Sequence, residues 1–202
     1  VYMALTIYRD LRDNFAVELW AELGFANNSV ILAVAEIPIA VMVLVITSMM
    51  ILIRNNRIAF FSNMGIILFG GVVLAVVTFM FTLRLVGPAV WMIVTGFGMY
   101  LSYVSYHTML FERWIALFRY RSNIGYLMYV ADAFGYLGSV VILFYRNFAT
   151  PSLNWLSFIK TVAIVSGIFT ILLILFSVSY FRRKERAMAV DRLPPGKAVY
   201  AD

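Results

Sequence analysis

The chain has 202 residues, 63% of them hydrophobic and only 13% charged, against about 45–50% and about 25% in soluble domains; this excludes a soluble globular domain and predicts an integral membrane protein. Its formal charge of +6 is spread over short basic runs between long apolar segments, a pattern that argues for sidedness in a lipid bilayer and against a nucleic-acid partner. With no cysteine and a single histidine, disulfides, thiolate nucleophiles and multi-histidine metal centres are excluded, and neither a metal nor a cofactor is expected.

The chain opens at Val1 with neither an initiator methionine nor a signal-peptide pattern, which predicts a fragment with sequence upstream. Residues 1–24 form the first predicted helix. Within it Arg9, Asp10, Arg12 and Asp13 put four charges into five residues of an otherwise apolar stretch. An ionised side chain at the bilayer centre costs roughly 2.5–3.5 kcal/mol on insertion scales, so such residues face a bundle interior or a water-filled path and pair with one another. Arg9 and Asp13 are four apart, the spacing of a direct pair, with Arg12 and Ala16 on the same broad face. A mixed-charge helix lying along the interface is the other reading of this pattern. Gly24 is placed to end the helix, and the turn that follows offers Asn28 or Ser29 as the next cap.

The second helix, 30–53, is long enough to cross a hydrocarbon core of roughly 30 Å. It carries Glu36 about 9 Å along its length, two residues before Pro38, which removes a backbone hydrogen bond and bends the helix. Glu36 fits either the bundle interior or a snorkelling position near the interface. Arg54-Asn55-Asn56-Arg57 then makes a basic turn. The third helix, 58–82, is free of charge, and Gly65, Gly70 and Gly71 give it small surfaces for close packing.

Arg84 lies in the next connection, and Pro88 suits the first turn of the fourth helix, 88–111. Tyr100, Tyr103 and His107 step by three and four and share one face. The two tyrosines are 12 and 15 residues into the helix, too deep for an interfacial aromatic belt. They predict a polar stripe in a cavity wall, and His107 is a candidate proton site. Residues 112–123, with Arg113, Arg119 and Arg121 among apolar residues, predict a short amphipathic piece at the membrane surface.

The fifth helix, 124–145, has Asp132 as its only charge, flanked at minus three and plus four by Tyr129 and Tyr136 on the same face. Because an intramembrane carboxylate is a functional candidate by default, Asp132 is the strongest single-residue candidate in the chain. A loop containing Pro151 follows. The sixth helix, 157–181, is apolar after Lys160, which can snorkel, and the run Arg182-Arg183-Lys184-Glu185-Arg186 is expected to stop it at the membrane surface. Residues 187–202, with Pro194-Pro195-Gly196, read as a disordered tail.

Arg54, Arg57, Arg113, Arg119, Arg121 and the C-terminal cluster fall in one set of connections, whereas the other set holds only Arg84, Arg146 and nearby Lys160. The positive-inside rule puts the richer set and the C-terminus in the cytoplasm. Buried charge is confined to the first, second, fourth and fifth helices, and the third and sixth have none in their interiors. In this division the chain resembles the C-terminal six-helix half of a major facilitator superfamily transporter, over residues 1–186. In that family the first, second, fourth and fifth helices of each half line the central cavity. Of the family's basic loop between the second and third helices only Arg54-Asn55-Asn56-Arg57 remains, without its glycine and aspartate.

The resemblance implies an all-α membrane protein of six transmembrane helices, half of a major-facilitator-like bundle. It further implies a secondary transporter working by alternating access, partnered by a missing N-terminal six-helix half or a second copy, in a bacterial inner membrane. Arg9, Arg12, Tyr100, Tyr103, Tyr129 and Tyr136 are then candidates to bind a small solute, the arginines by holding an anionic group in forked geometry. Asp10, Asp13, Glu36, His107 and Asp132 are candidates for proton coupling or ion pairing. A non-transporting scaffold or receptor subunit is the alternative. A membrane enzyme using His107 as acid or base is less favoured, since no nucleophile or metal constellation accompanies it.

Overall fold

The computed structural model of the protein describes residues 1–25, 30–149 and 154–190, and all the regular structure among them is helical. The expected caps Asn28 and Ser29, the Pro151 loop and the tail beyond residue 190 lie outside the described residues.

The first predicted helix is divided. Helix α1 spans Tyr2–Asn14 and α2 spans Ala16–Trp20, with a break at Phe15 (φ −116°, ψ 25°). The break follows Asp13 and Asn14, which have low helix propensity, and is fixed from outside: the Phe15 ring stacks on Trp155 with centroids 4.0 Å apart. A wide turn, Ala21–Phe25, ends the segment, and Gly24 takes the left-handed conformation (φ 94°) expected of a helix-ending glycine.

Helix α3, Ile31–Ile51, runs without interruption through Pro38. Helix α4, Asn56–Thr82, starts where the Asn55 side chain accepts hydrogen bonds from the Arg57 and Ile58 N–H groups. Helix α5, Pro88–Ser105, begins on its proline and passes through a wide turn, Tyr106–Leu110, into the amphipathic α6, Phe111–Phe118. Asn123 caps α7, Ile124–Phe144, in the same way as Asn55 caps α4. Helix α8 spans Trp155–Val190.

The expectation that Arg182 to Arg186 stops the last helix is wrong: α8 continues through that run to Val190. Lys, Arg, Glu, Ala and Met are all good helix formers, so the charges end the apolar surface without ending the helix. Among the described residues, four segments are long and apolar enough to cross a membrane: Ala33–Ile51, Asn56–Thr82, Ile124–Phe148 and Trp155–Met188. Of the remaining two predicted spans, α1–α2 is broken at Phe15 and carries Arg9, Asp10, Arg12, Asp13 and Glu18, and α5 carries no charge but has Ser, Thr, Tyr and Gly residues that lower its hydropathy.

Helix α4 packs along both α5 and α8, α1 lies against α7, α8 and α5, and α3 rests on α5. Gly70 of α4 meets Gly98 of α5 so closely that a Cβ at Gly70 would run into the Gly98 carbonyl, the small-residue contact expected where helices associate in lipid. Tyr8, Leu11, Trp91, Met92, Met99 and Ile159 form the main buried cluster, which fixes α1 against α5 and α8.

The two basic sets expected from the sequence lie at opposite ends of the bundle. At one end Arg57 pairs with Glu185 (2.7 Å), Arg113 donates to Asn56 (2.8 Å) and Lys184 bonds the Tyr120 hydroxyl. At the other, Arg84 and Lys160 border one cavity, Arg146 lies 4.4 Å over the Trp155 ring, and Glu22 accepts the Leu156 N–H (2.9 Å).

Candidate functional site

Along α1, Tyr2, Arg9 and Asp13 are spaced by seven and four and share one face. That face meets the predicted stripe of α5, so that polar groups run about 16 Å from Tyr2 to Asp13 at roughly 1.5 Å per residue. Three clusters follow one another along it.

The first is centred on Arg12, which is 1% exposed although it carries a full charge. Its Nη2 donates to Glu36 Oε1 of α3 at 2.6 Å and reaches the Met92 carbonyl at 3.4 Å, while Nη1 lies 3.5 Å from Asp13 Oδ1. The guanidinium fits because Gly96 has no side chain: a Cβ there would stand 2.6 Å from Nη2. The Tyr100 hydroxyl donates to the Asp13 carboxylate, 2.7 Å from each oxygen. A buried guanidinium is tolerable only when its charge is neutralised and most of its donors are used. Here two carboxylates and a carbonyl do this, leaving Nε without a partner.

The second cluster is Arg9 with Asp10. Both Nε and Nη2 of Arg9 donate to Asp10 Oδ1, at 3.0 and 2.6 Å. The guanidinium lies 4.4 Å over the Tyr103 ring and 5.8 Å from that of Tyr136, a cation–π arrangement. The predicted Arg9–Asp13 pair does not form. Tyr103 holds the Arg9 head group on the α5 side, and Tyr100, one turn along α5, engages the Asp13 carboxylate.

In the third cluster the Tyr2 hydroxyl bonds both Asp132 Oδ1 and the Tyr103 hydroxyl, the latter at 2.8 Å. A phenol has one proton, and an ionised carboxylate can only accept. Tyr2 therefore donates to Asp132, and Tyr103 donates to the Tyr2 oxygen. His107 Nε2 stands 3.5 Å from the other Asp132 oxygen. Helix α7 comes this close because it is bare where α1 crosses it: a Cβ at Gly135 would lie 2.9 Å from the Thr6 hydroxyl oxygen.

Of the residues singled out in the sequence, Tyr129 alone is not brought in. It is 78% exposed, since it lies one turn of α7 beyond Asp132, past the contact with α1. Tyr2 was missed. Its signal was a tyrosine seven residues before Arg9 in an apolar run, on the face that Arg9 and Asp13 define.

A cavity of about 590 Å³ opens beside the Arg12 cluster. It is lined by Arg12, Asp13, Glu36 and Tyr100, by Val104 of α5, and by Ile39, Ala40, Val43, Leu44 and Thr47 of α3. These α3 residues recur at the spacing of one helix face that starts at Glu36, a pattern hidden in a segment apolar all round. Among the described residues no three carboxylate or imidazole groups converge as a metal ion would require.

The model of one protein family matches residues 1–184, and its description is "Family of unknown function (DUF5690)". No curated protein and no solved structure matches the chain.

Proposed function

The chain belongs to the DUF5690 family, and from that premise, with no activity to inherit, we propose that it is a secondary active transporter of a small solute, working by alternating access. The observation that carries the reading is the file of ionisable and hydroxyl groups from Glu36 to His107, bordered by a cavity of about 590 Å³ and set among long apolar helical segments. Keeping six charges inside such a bundle is expensive, and charges so placed mark solute and ion pathways.

The division of labour among the helices supports the same reading. Helices α1, α3, α5 and α7 and the turn Tyr106–Leu110 supply the clustered groups, while α4 and α8 pack behind them. In this reading the chain is one half of a major-facilitator-like bundle, with α1–α2 and α5–α6 taken as fifth and sixth spans beside the four apolar ones. A second six-helix unit, from a longer chain or a second copy, would supply the facing wall. Solute would rest against Asp13, Glu36 and Tyr100, with Arg12 behind the two carboxylates. Asp132, with Tyr2, Tyr103 and His107, would take up and release a proton. The two halves would rock about this level, exposing it to each side in turn, with the basic end of the bundle toward the cytoplasm.

The absence of cysteine from the sequence provides the test. Ala40 lines the cavity one helical turn from Glu36, and Ala40→Cys changes little volume. In sealed vesicles of known orientation, a membrane-impermeant thiol reagent should modify this one cysteine when added from either side. Modification from a single side only would favour a static scaffold and count against alternating access.

A further inference from the structure

The side chains that face the cavity decide which solute charge it favours. Sequence spacing alone suggests that arginines meet an anion. In the structure the Arg12 side chain is 2% exposed, whereas those of Asp13 and Glu36 are 39% and 38% exposed. The guanidinium lies behind, engaged with both carboxylates and the Met92 carbonyl, and the carboxylate oxygens are what a bound molecule would touch. Arg9 offers no substitute: it is 15% exposed, bonded to Asp10 and covered by Tyr103.

From this geometry we infer that the cavity takes a cationic solute, an ammonium group carried on an apolar body, and that Arg12 positions the two carboxylates without touching the anionic part of any ligand. The inference rests on the transporter reading only for the word solute; the charge preference follows from the cavity itself. One arginine and two carboxylates leave the lining with a net charge of −1, and a low-dielectric cleft of one sign concentrates ions of the other. The Tyr100 ring, whose hydroxyl is tied to Asp13, adds a face that attracts cations. Ile39, Val43, Leu44 and Val104 would enclose the apolar part. An anion there would meet two exposed carboxylates with no free guanidinium to compensate.

The rates at which charged thiol reagents reach the Ala40→Cys residue report this preference directly. The protein in lipid nanodiscs is treated with a methanethiosulfonate bearing a trimethylammonium group and, separately, with one bearing a sulfonate. Each rate is divided by that for a free thiol. The cationic reagent should be favoured by about tenfold or more, within the range such focusing produces. Glu36→Gln and, independently, Asp13→Asn in the same background should each lower the ratio severalfold. A ratio at or below one, a ratio that neither substitution changes, or no reaction with either reagent overturns the inference. The outcome is separate from that of the two-sided accessibility test, because a static cavity gives the same ratio as a moving one.

Discussion

Removing Glu36 should be more damaging than its partial exposure suggests. Glu36→Ala takes away the 2.6 Å partner of Arg12 Nη2 and leaves a guanidinium, 1% exposed, with Asp13 at 3.5 Å and one long bond to a carbonyl. Stripping one partner from a buried ion pair costs about 3–5 kcal/mol, mostly because the other charge remains buried. Glu36 is 38% exposed at its side chain and Asp13 is retained, so the expected cost is about 2–3 kcal/mol, below that range. Arg12→Met should cost less, because the two carboxylates it frees already reach solvent. The double variant should recover part of the Glu36→Ala loss, with a coupling of about 1–3 kcal/mol. Reversible unfolding in mixed micelles, followed by circular dichroism for all four proteins, measures each term. A Glu36→Ala effect below about 0.5 kcal/mol, the usual size for surface changes, would refute the claim that this pair neutralises a buried charge.

Asp132→Asn should abolish proton-coupled uptake while leaving expression unchanged, as read by solute-driven pH changes in vesicles; unchanged uptake would remove Asp132 from the mechanism. Gly96→Ala puts a Cβ 2.6 Å from the Arg12 guanidinium, and should destabilise the fold by about 1–3 kcal/mol through overpacking, whereas Gly65→Ala, with nothing within 4 Å, should not; thermal unfolding compares them. Arg57→Ala should change stability by no more than about 1 kcal/mol despite its 2.7 Å bond to Glu185, because its side chain is 65% exposed.

The helices were legible from the sequence because apolar length is a strong signal, and Pro88 and Gly24 act where local rules put them. The ends that misled did so for identifiable reasons. Phe15 breaks the first helix through a ring 140 residues away in the chain, and the charged run from Arg182 stays helical because its residues favour helix. The site was legible as a set of residues but not as a set of pairs. Spacing along α1 proposes Arg9 with Asp13, and only the register between α1 and α5 reveals that Tyr103 and Tyr100 separate them. In the same way no local pattern shows that Arg12 turns inward to Glu36, since its burial depends on the missing side chain of Gly96. The cavity wall on α3 was invisible because every face of that helix is apolar.

The most direct test of the transporter claim is electrical. The protein is reconstituted into vesicles adsorbed on a solid-supported membrane and exposed to concentration jumps of aralkylammonium compounds and of their carboxylate counterparts. The account predicts a transient current for at least one ammonium compound, abolished by Glu36→Gln and by Asp132→Asn in proteins that remain folded. No current from any ammonium compound, with the wild-type protein folded in the same vesicles, would contradict it.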